Sequence, residues 1–198
     1  SADAIARHLV GELLVKSLAA ADARSRGAGA NLPSLFISYS RRDEHWVDRL
    51  RTLFAPLERR GVLATWADAD LRAGGAWSTQ IHAVMEQASA ALLLVTPALL
   101  ASEYVRQVEL PFLVARTHAP GSRFRLFWVL LEPCNWGQQL PTLAKLQAIG
   151  DARRAVNQSA SAADEQVRLI EVVREVSAAL QSRSDTDSTP APDLPSSA

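Results

Sequence analysis

The sequence has few of the features that mark several common classes of protein. Cys134 is the single cysteine among 198 residues, so no disulfide can form within the chain, which favours a cytoplasmic location. Basic and acidic residues number 21 each, so the basic surface of a nucleic-acid binder is missing and no direct nucleic-acid partner is expected. The longest largely apolar stretch, 88–102, falls short of the roughly 20 apolar residues that span a bilayer. No membrane segment is predicted.

Motifs for metal, cofactor and thiol chemistry are also missing. The four histidines are scattered, with no acid or cysteine at ligand spacing, so no metal site is predicted. Neither GxGxxG nor GxxxxGK[ST] occurs after a predicted strand, which excludes a Rossmann cofactor site and a P-loop. Cys134 has no evident base in the sequence and is placed at the end of a strand rather than in a nucleophilic site. No cofactor is expected.

Hydrophobic periodicity predicts one α/β domain. Apolar runs alternate with segments of helical periodicity, which indicates a mostly parallel sheet with helices on both faces. The runs are nearly continuous, as expected for strands that are covered on both sides. Predicted strands lie at 35–39, 63–66, 91–96 and 125–131, and predicted helices at 44–60, 78–88, 102–115 and 162–180. In the last helix, Val167, Ile170, Val173 and Val176 are predicted to face the core.

Segments of different composition flank this domain, which is predicted to span residues 32–180. Ile5, Leu9 and Leu13 recur at helical spacing and predict an amphipathic helix, which together with a linker containing glycine and proline fills 1–31. Residues 181–198 are rich in Ser, Asp and Pro and predict a disordered tail or linker. Both flanks suggest that the chain is fused or linked to a sensor domain of a larger protein.

Three short stretches place polar residues where predicted strands end. They read LFISYSRRDEHW at 35–46, WADADLRAGGAW at 66–77 and SEYVRQVELP at 102–111. The loops at the carboxyl ends of parallel strands form a common crevice in open α/β sheets, so these stretches are expected to meet in space. A nucleotide-sized pocket is the leading prediction.

In these stretches the chain resembles the Toll/interleukin-1 receptor (TIR) domain family, in its bacterial form. FISYSRRD at 36–43 is similar to the first box of the family. The second strand and the "BB" loop after it are matched by Trp66, Asp68, Leu71, Gly74 and Trp77, and the third helix by Ser102, Tyr104, Glu109, Leu110 and Pro111. The resemblance implies a flavodoxin-like three-layer sandwich, in which helices flank a mostly parallel central sheet of about five strands.

The resemblance also implies an activity, because many members of the family cleave NAD between nicotinamide and ribose. NAD would be a substrate, and the products would be nicotinamide with ADP-ribose or a cyclic isomer of it. Nicotinamide leaves as a neutral molecule, so one carboxylate that stabilises an oxocarbenium-like transition state could suffice. Glu109 matches the family's glutamate and is the predicted catalytic residue. The alternative is an ordinary solvated glutamate on a helix.

Six further residues are predicted to bind the substrate. They are Tyr39, Ser40, Arg41, Asp68, Trp77 and Tyr104. The turn after the first strand offers backbone N–H groups and a guanidinium to phosphate oxygens; alternatively its two arginines are solvated, and in either case Asp43 is predicted to cap the next helix. Trp77 could stack on the ligand or anchor a helix to the core, and Asp68 could also be a cap.

One spacing departs from the family pattern. In many members an aromatic residue precedes the glutamate by four positions, but Tyr104 precedes Glu109 by five. In an α-helix this spacing puts the two side chains on different stripes, and Val105 and Arg106 come closer to the one-turn position. The spacing therefore counts against Tyr104 as the ring that packs near the nicotinamide.

Three functions stay open. The leading one is an NAD glycohydrolase (NAD+ nucleosidase) that the resemblance links to self-association through TIR–TIR contacts and to bacterial antiphage defence or signalling. The second is a non-catalytic TIR adaptor, which the position of Tyr104 favours, whereas the acids at 68 and 109 and the arginine at 41 favour the enzyme. The third is another nucleotide enzyme, such as a nucleoside transferase.

Overall fold

A computed structural model describes residues 32–67 and 77–182, except for the side chains of 77–81. The predicted N-terminal helix and linker, the tail beyond 182 and the BB-loop stretch 68–76 lie outside the described residues. The boundaries predicted for the three segments of the chain therefore stay predictions.

A five-stranded, all-parallel sheet forms the centre of the domain, with strand order β2-β1-β3-β4-β5. β1 pairs on both sides, with Leu35 opposite Thr65 of β2 and Ala90 of β3. The sheet and its helices confirm the predicted flavodoxin-like α/β sandwich. The strands are β1 Ser34–Ser38, β2 Ala64–Ala67, β3 Ala90–Val95, β4 Arg125–Leu130 and β5 Gln147–Ala148. The first four begin and end within one residue of the prediction.

Helices connect these strands and cover both sheet faces. They are α1 Glu44–Arg59, α2 Trp77–Gln87, α3 Pro97–Ala101, α4 Leu110–His118, α5 Trp136–Gln139 and α6 Ala162–Gln181. A π-helical turn, Val105–Glu109, runs directly into α4. Short 3-10 turns lie at Arg41–Asp43, Pro141–Lys145 and Val156–Gln158. Among the described residues, none of the helices has the length and apolar character needed to cross a membrane.

The sheet separates two hydrophobic cores. In β1, Leu35 and Ile37 point to one side and Phe36 to the other, because successive side chains of a strand alternate between its faces. The first core packs α1 and α6 against the sheet, and the second packs α2, α3 and α4 against the opposite face. These two helix layers and the sheet make the three layers of the sandwich.

The predicted inner face of α6 is partly wrong. Val173 and Val176 are buried, but Val167 and Ile170 are 53% and 48% exposed. Steps of three residues advance about 300° around a helix, so each step drifts by about 60° and four such positions cover half the circumference. The buried stripe instead combines steps of three and four residues, through Leu169, Val172, Val173, Val176 and Leu180.

The short helix α3 has a start signal that the periodicity did not reveal. Thr96 adopts extended backbone angles and accepts a hydrogen bond from the Leu99 backbone N–H at 3.0 Å, and Pro97 follows as the first helical residue. A threonine cap followed by proline is a typical helix start. The result is a turn of helix at the carboxyl end of β3, directly before the third motif stretch.

Candidate functional site

A pocket with a volume of about 380 Å³ lies beyond the carboxyl ends of β1 and β3. The chain leaves these neighbouring strands toward opposite faces of the sheet, into α1 and α3, which makes this point the topological switch where open α/β sheets bind ligands. The volume falls in the usual range for small-molecule sites. Two described cavities elsewhere are smaller, at about 140 and 260 Å³.

Two separate segments line this pocket. The first wall, 39–42, follows β1, and the second wall, 98–109, follows β3. The structure brings together five of the predicted site residues, which are Tyr39, Ser40, Arg41, Tyr104 and Glu109. Asp68 and the side chain of Trp77 lie outside the described residues, so their roles stay predictions. Five further lining residues were not among the predicted site residues: Arg42 on the first wall, and Ala98, Ala101, Ser102 and Val105 on the second.

Glu109 is buried and is the last residue of the second wall. Its side chain is 5% exposed and its Oε1 atom is inaccessible to solvent. Glutamates are rarely buried in folded proteins, because removing a carboxylate from water is costly. Glu109 is therefore not a solvated helix residue, and a buried acid beside a pocket is a typical functional arrangement.

The π-helical turn brings Tyr104 to the same pocket as Glu109. The Leu110 backbone N–H donates to the Val105 carbonyl, five residues earlier, instead of to the usual residue four earlier. Such a turn holds one additional residue, so residues five apart lie about one turn apart on the same side of the helix. The expectation that the two side chains lie on different stripes of the helix is wrong for this reason. Arg106, which α-helical spacing favoured, is exposed.

The first wall is a tight turn that carries two arginines. The Ser40 hydroxyl oxygen accepts a hydrogen bond from the Arg42 backbone N–H at 3.4 Å and caps the 3-10 turn. Arg41 and Arg42 are both exposed and both line the pocket. Guanidinium groups bind phosphate oxygens with two parallel hydrogen bonds. Both arginines therefore remain candidates for binding phosphate, although the sequence had favoured Arg41.

Asp43 does not cap α1, contrary to the prediction. Its side chain makes no capping hydrogen bond; instead it is 3% exposed, and its Oδ2 accepts a hydrogen bond from the Thr96 hydroxyl at 2.5 Å. Burial raises the pKa of Asp43, the hydrogen bond from Thr96 opposes this rise, and the nearby Glu132 carboxylate adds to it. Asp43 thus joins the end of β1 to the end of β3. Periodicity carries no signal for such a contact between distant residues.

Two further residues near this end of the sheet have structural contacts. The Trp46 indole Nε1 donates to the Glu132 carboxylate at 3.1 Å, which ties α1 to the loop after β4. Burial raises the pKa of the Cys134 thiol, so its reactive thiolate form is disfavoured. Among residues 32–67 and 77–182, no group of three His, Cys, Asp or Glu side chains is placed to hold a metal ion.

Comparisons with known proteins agree with this geometry. A family model described as "TIR domain" matches residues 35–170, which include both pocket walls. An uncharacterized protein of Sinorhizobium fredii is 31% identical over 105 residues, a match that covers 53% of this chain and 32% of that protein. The matched region thus spans about a third of the relative's length.

Proposed function

The chain belongs to the TIR domain family, and from this premise we propose that it is an NAD glycohydrolase. It would cleave NAD to nicotinamide and either ADP-ribose or a cyclic isomer. The observation that carries the proposal is the buried carboxylate of Glu109, which lies in one pocket with an aromatic ring, Tyr104, and two arginines. This set offers one group for each part of the substrate: the ribose, the base and the pyrophosphate.

The reaction breaks the bond between ribose C1′ and the nicotinamide nitrogen. The nitrogen keeps the electron pair and leaves as neutral nicotinamide, so positive charge develops on the ribose. The Glu109 carboxylate stabilises this charge; at about 4 Å and an effective dielectric constant of about 20, the attraction is about 4 kcal/mol, or roughly a thousandfold in rate. Water then adds to C1′ and loses a proton, giving ADP-ribose, or an adenine nitrogen adds and gives the cyclic product.

The other pocket residues bind and orient the substrate in this proposal. Arg41 and Arg42 hold the pyrophosphate at the first wall, with help from the backbone around Ser40. The ring of Tyr104 packs against the nicotinamide, which fixes the scissile bond beside Glu109. Tyr39 completes the wall, and Asp68 and Trp77 keep their predicted roles at the ribose and at a ring of the ligand.

TIR domains associate with one another, and we extend the proposal to activation by self-assembly. The BB loop of one copy would help to complete or open the site of the next, in a cytoplasmic signalling or antiphage response that a linked sensor domain starts. The specific activity should therefore rise with protein concentration. Full activity in a dilute monomer, unchanged on concentration, would contradict the assembly claim.

The decisive experiment measures NAD consumption and identifies the products for wild type, Glu109→Gln and Glu103→Gln. Glu103 is the matched control, because it is an exposed glutamate six residues earlier that does not line the pocket. Glu109→Gln keeps the side-chain shape but removes the charge, and we expect a loss of about a thousandfold. Glu103→Gln should stay within about threefold of wild type, as expected for a surface substitution.

A Glu109→Gln variant with activity near that of wild type would refute the catalytic role. If concentrated wild type consumed no NAD, the adaptor function would replace the enzyme, and binding to a partner TIR domain would be measured next. The spacing of Tyr104 had favoured the adaptor, but the π-helical turn removes that reason. Nucleosides tested beside NAD would reveal a nucleoside transferase.

A further inference from the structure

The two pocket walls need a link beyond the strands from which they emerge. The pairing of β1 with β3 ends at Ser38 and Leu93, before either wall begins. The first wall starts at Tyr39 and the second at Ala98, so the ladder between the strands does not fix the distance between them. The hydrogen bond between Asp43 and Thr96 crosses this gap.

The Thr96 hydroxyl joins this contact to the second wall. It donates to the Asp43 carboxylate and accepts from the Leu99 backbone N–H at 3.0 Å. The one hydroxyl therefore connects Asp43 with the start of α3. Leu99 lies in α3, between the pocket residues Ala98 and Ala101. Thr96 is fully buried. A rotation of its hydroxyl would therefore break contacts on both sides at once.

Asp43 is joined in the same way to the first wall. Its backbone N–H donates to the Ser40 carbonyl at 2.7 Å, which closes the turn that carries Arg41 and Arg42. The oxygen-to-oxygen distance of 2.5 Å to Thr96 is typical of a strong hydrogen bond to a charged acceptor. A continuous chain of hydrogen bonds therefore runs from the arginine turn to α3.

We propose that Asp43 and Thr96 form a clamp that holds the two walls of the pocket at a fixed distance, which makes Asp43 a positioning residue for the substrate. The clamp sets where the arginines lie relative to Tyr104 and Glu109. The effect of the clamp on kcat/KM rests on the proposed NAD chemistry. Its effect on the motion of the two walls does not. A misplacement of about 1 Å can cost roughly a hundredfold in rate, so such a contact matters although it touches no substrate.

Four variants of the full chain and one control variant test the kinetic consequence. Thr96→Val removes the hydroxyl but keeps the shape, Asp43→Asn removes the charge, and Thr96→Ser restores the hydroxyl. We expect Thr96→Val and Asp43→Asn each to lower kcat/KM for NAD by roughly 10- to 100-fold, and Thr96→Ser to stay within about threefold of wild type. The double variant, Asp43→Asn with Thr96→Val, should lose little more than either single one, because both changes act on the same hydrogen bond. Thr52→Val, an exposed threonine of α1, is the control.

A second measurement tests the clamp without any enzyme activity. Amide hydrogen exchange is followed in wild type and Thr96→Val at Asp43, whose backbone N–H closes the turn of the first wall. If the clamp exists, the Asp43 amide should exchange at least tenfold faster in Thr96→Val than in wild type. The amide of Leu50, which is buried on the core side of α1, should exchange at the same rate in both. Faster exchange at Asp43 alone distinguishes a clamp from general destabilisation, because general destabilisation would raise the exchange rates of both amides.

The outcomes separate the two proposals. Unchanged exchange at Asp43 in Thr96→Val overturns the clamp, whether or not the protein consumes NAD. Faster exchange with kcat/KM within threefold of wild type also overturns it, because the walls would then move without effect on the site. If wild type consumes no NAD but exchange at Asp43 responds, the enzyme proposal fails and the clamp stands as a device that shapes the pocket.

Discussion

Deleting Gln107 should convert the π-helical turn into an ordinary α-helical turn and keep the pocket intact. The turn Val105–Glu109 holds one residue more than an α-helical turn, and Gln107 is exposed at its centre. After the deletion, Tyr104 precedes Glu109 by four residues, which is the common spacing of the family. Val105 and Leu110 also become four apart, so their N–H to carbonyl hydrogen bond becomes α-helical.

The expected cost follows from what the deletion removes. An exposed side chain contributes little burial, so the free energy of unfolding should change by less than about 1 kcal/mol. Deleting the exposed Thr52 in the middle of α1 is the control, because it rotates the rest of that helix by about 100°. This rotation would take Phe54, fully buried in the first core, out of its place. Loss of a core phenylalanine costs about 3–5 kcal/mol.

Urea unfolding followed by circular dichroism gives the stabilities, and NAD consumption gives the activity. We expect the Gln107 deletion to retain activity within about tenfold of wild type, since side chains of the site keep their relative places. Two results would contradict this prediction: the Gln107 deletion is destabilised as much as the Thr52 deletion, or its activity falls to that of Glu109→Gln. Either would show that the π-helical turn is not an α-helical turn with one residue inserted. The π-helical turn would then not account for the position of Tyr104 in the same pocket as Glu109.

Two other predictions concern buried titratable groups. Burial raises the pKa of Asp43 in the folded protein above its ordinary value of about 3.9. The stability that protonated Asp43 contributes is therefore fully present below pH about 3.9, and it is lost as the pH rises through the raised pKa. The unfolding free energy of wild type minus that of Asp43→Asn should therefore fall across this pH window and then level off; a constant difference would contradict this. Burial also raises the pKa of Cys134, so Cys134→Ser should consume NAD like wild type, and the folded thiol should react with a neutral alkylating reagent more slowly at pH 8 than the urea-unfolded thiol. Equal alkylation rates would show that the thiolate is not disfavoured.

The strands and helices that carry a regular apolar pattern could be predicted from the sequence. Features that are too short to form such a pattern, or that depart from it, could not. Buried parallel strands produce uninterrupted apolar runs, so four of the five strands and the long helices could be located. β5 has only two residues, too few to form a pattern. In α6, steps of three residues were extended too far, which placed Val167 and Ile170 in the core although they are exposed.

The site shows the same division. Its residues at strand ends were found from the motifs, because the topology of an open sheet brings those ends together. The position of Tyr104 relative to Glu109 was not predictable, because a spacing of 3.6 residues per turn does not hold where the chain forms a π-helical turn. The contact between Asp43 and Thr96 joins residues 53 positions apart. Only the folded sheet brings them together, so no local pattern could reveal it.

The central place of β1 in the sheet also determines when the protein can fold during synthesis. β1 is the first described strand to be made, yet its partners β2 and β3 begin only at Ala64 and Ala90. The side chains of β1 that face the first core, Leu35 and Ile37, and those of α1 stay partly uncovered until α6 has left the ribosome, because α6 completes the core on that side. Long-range pairing of this kind folds slowly. We therefore expect the nascent chain to expose part of this core until its last described helix has been made.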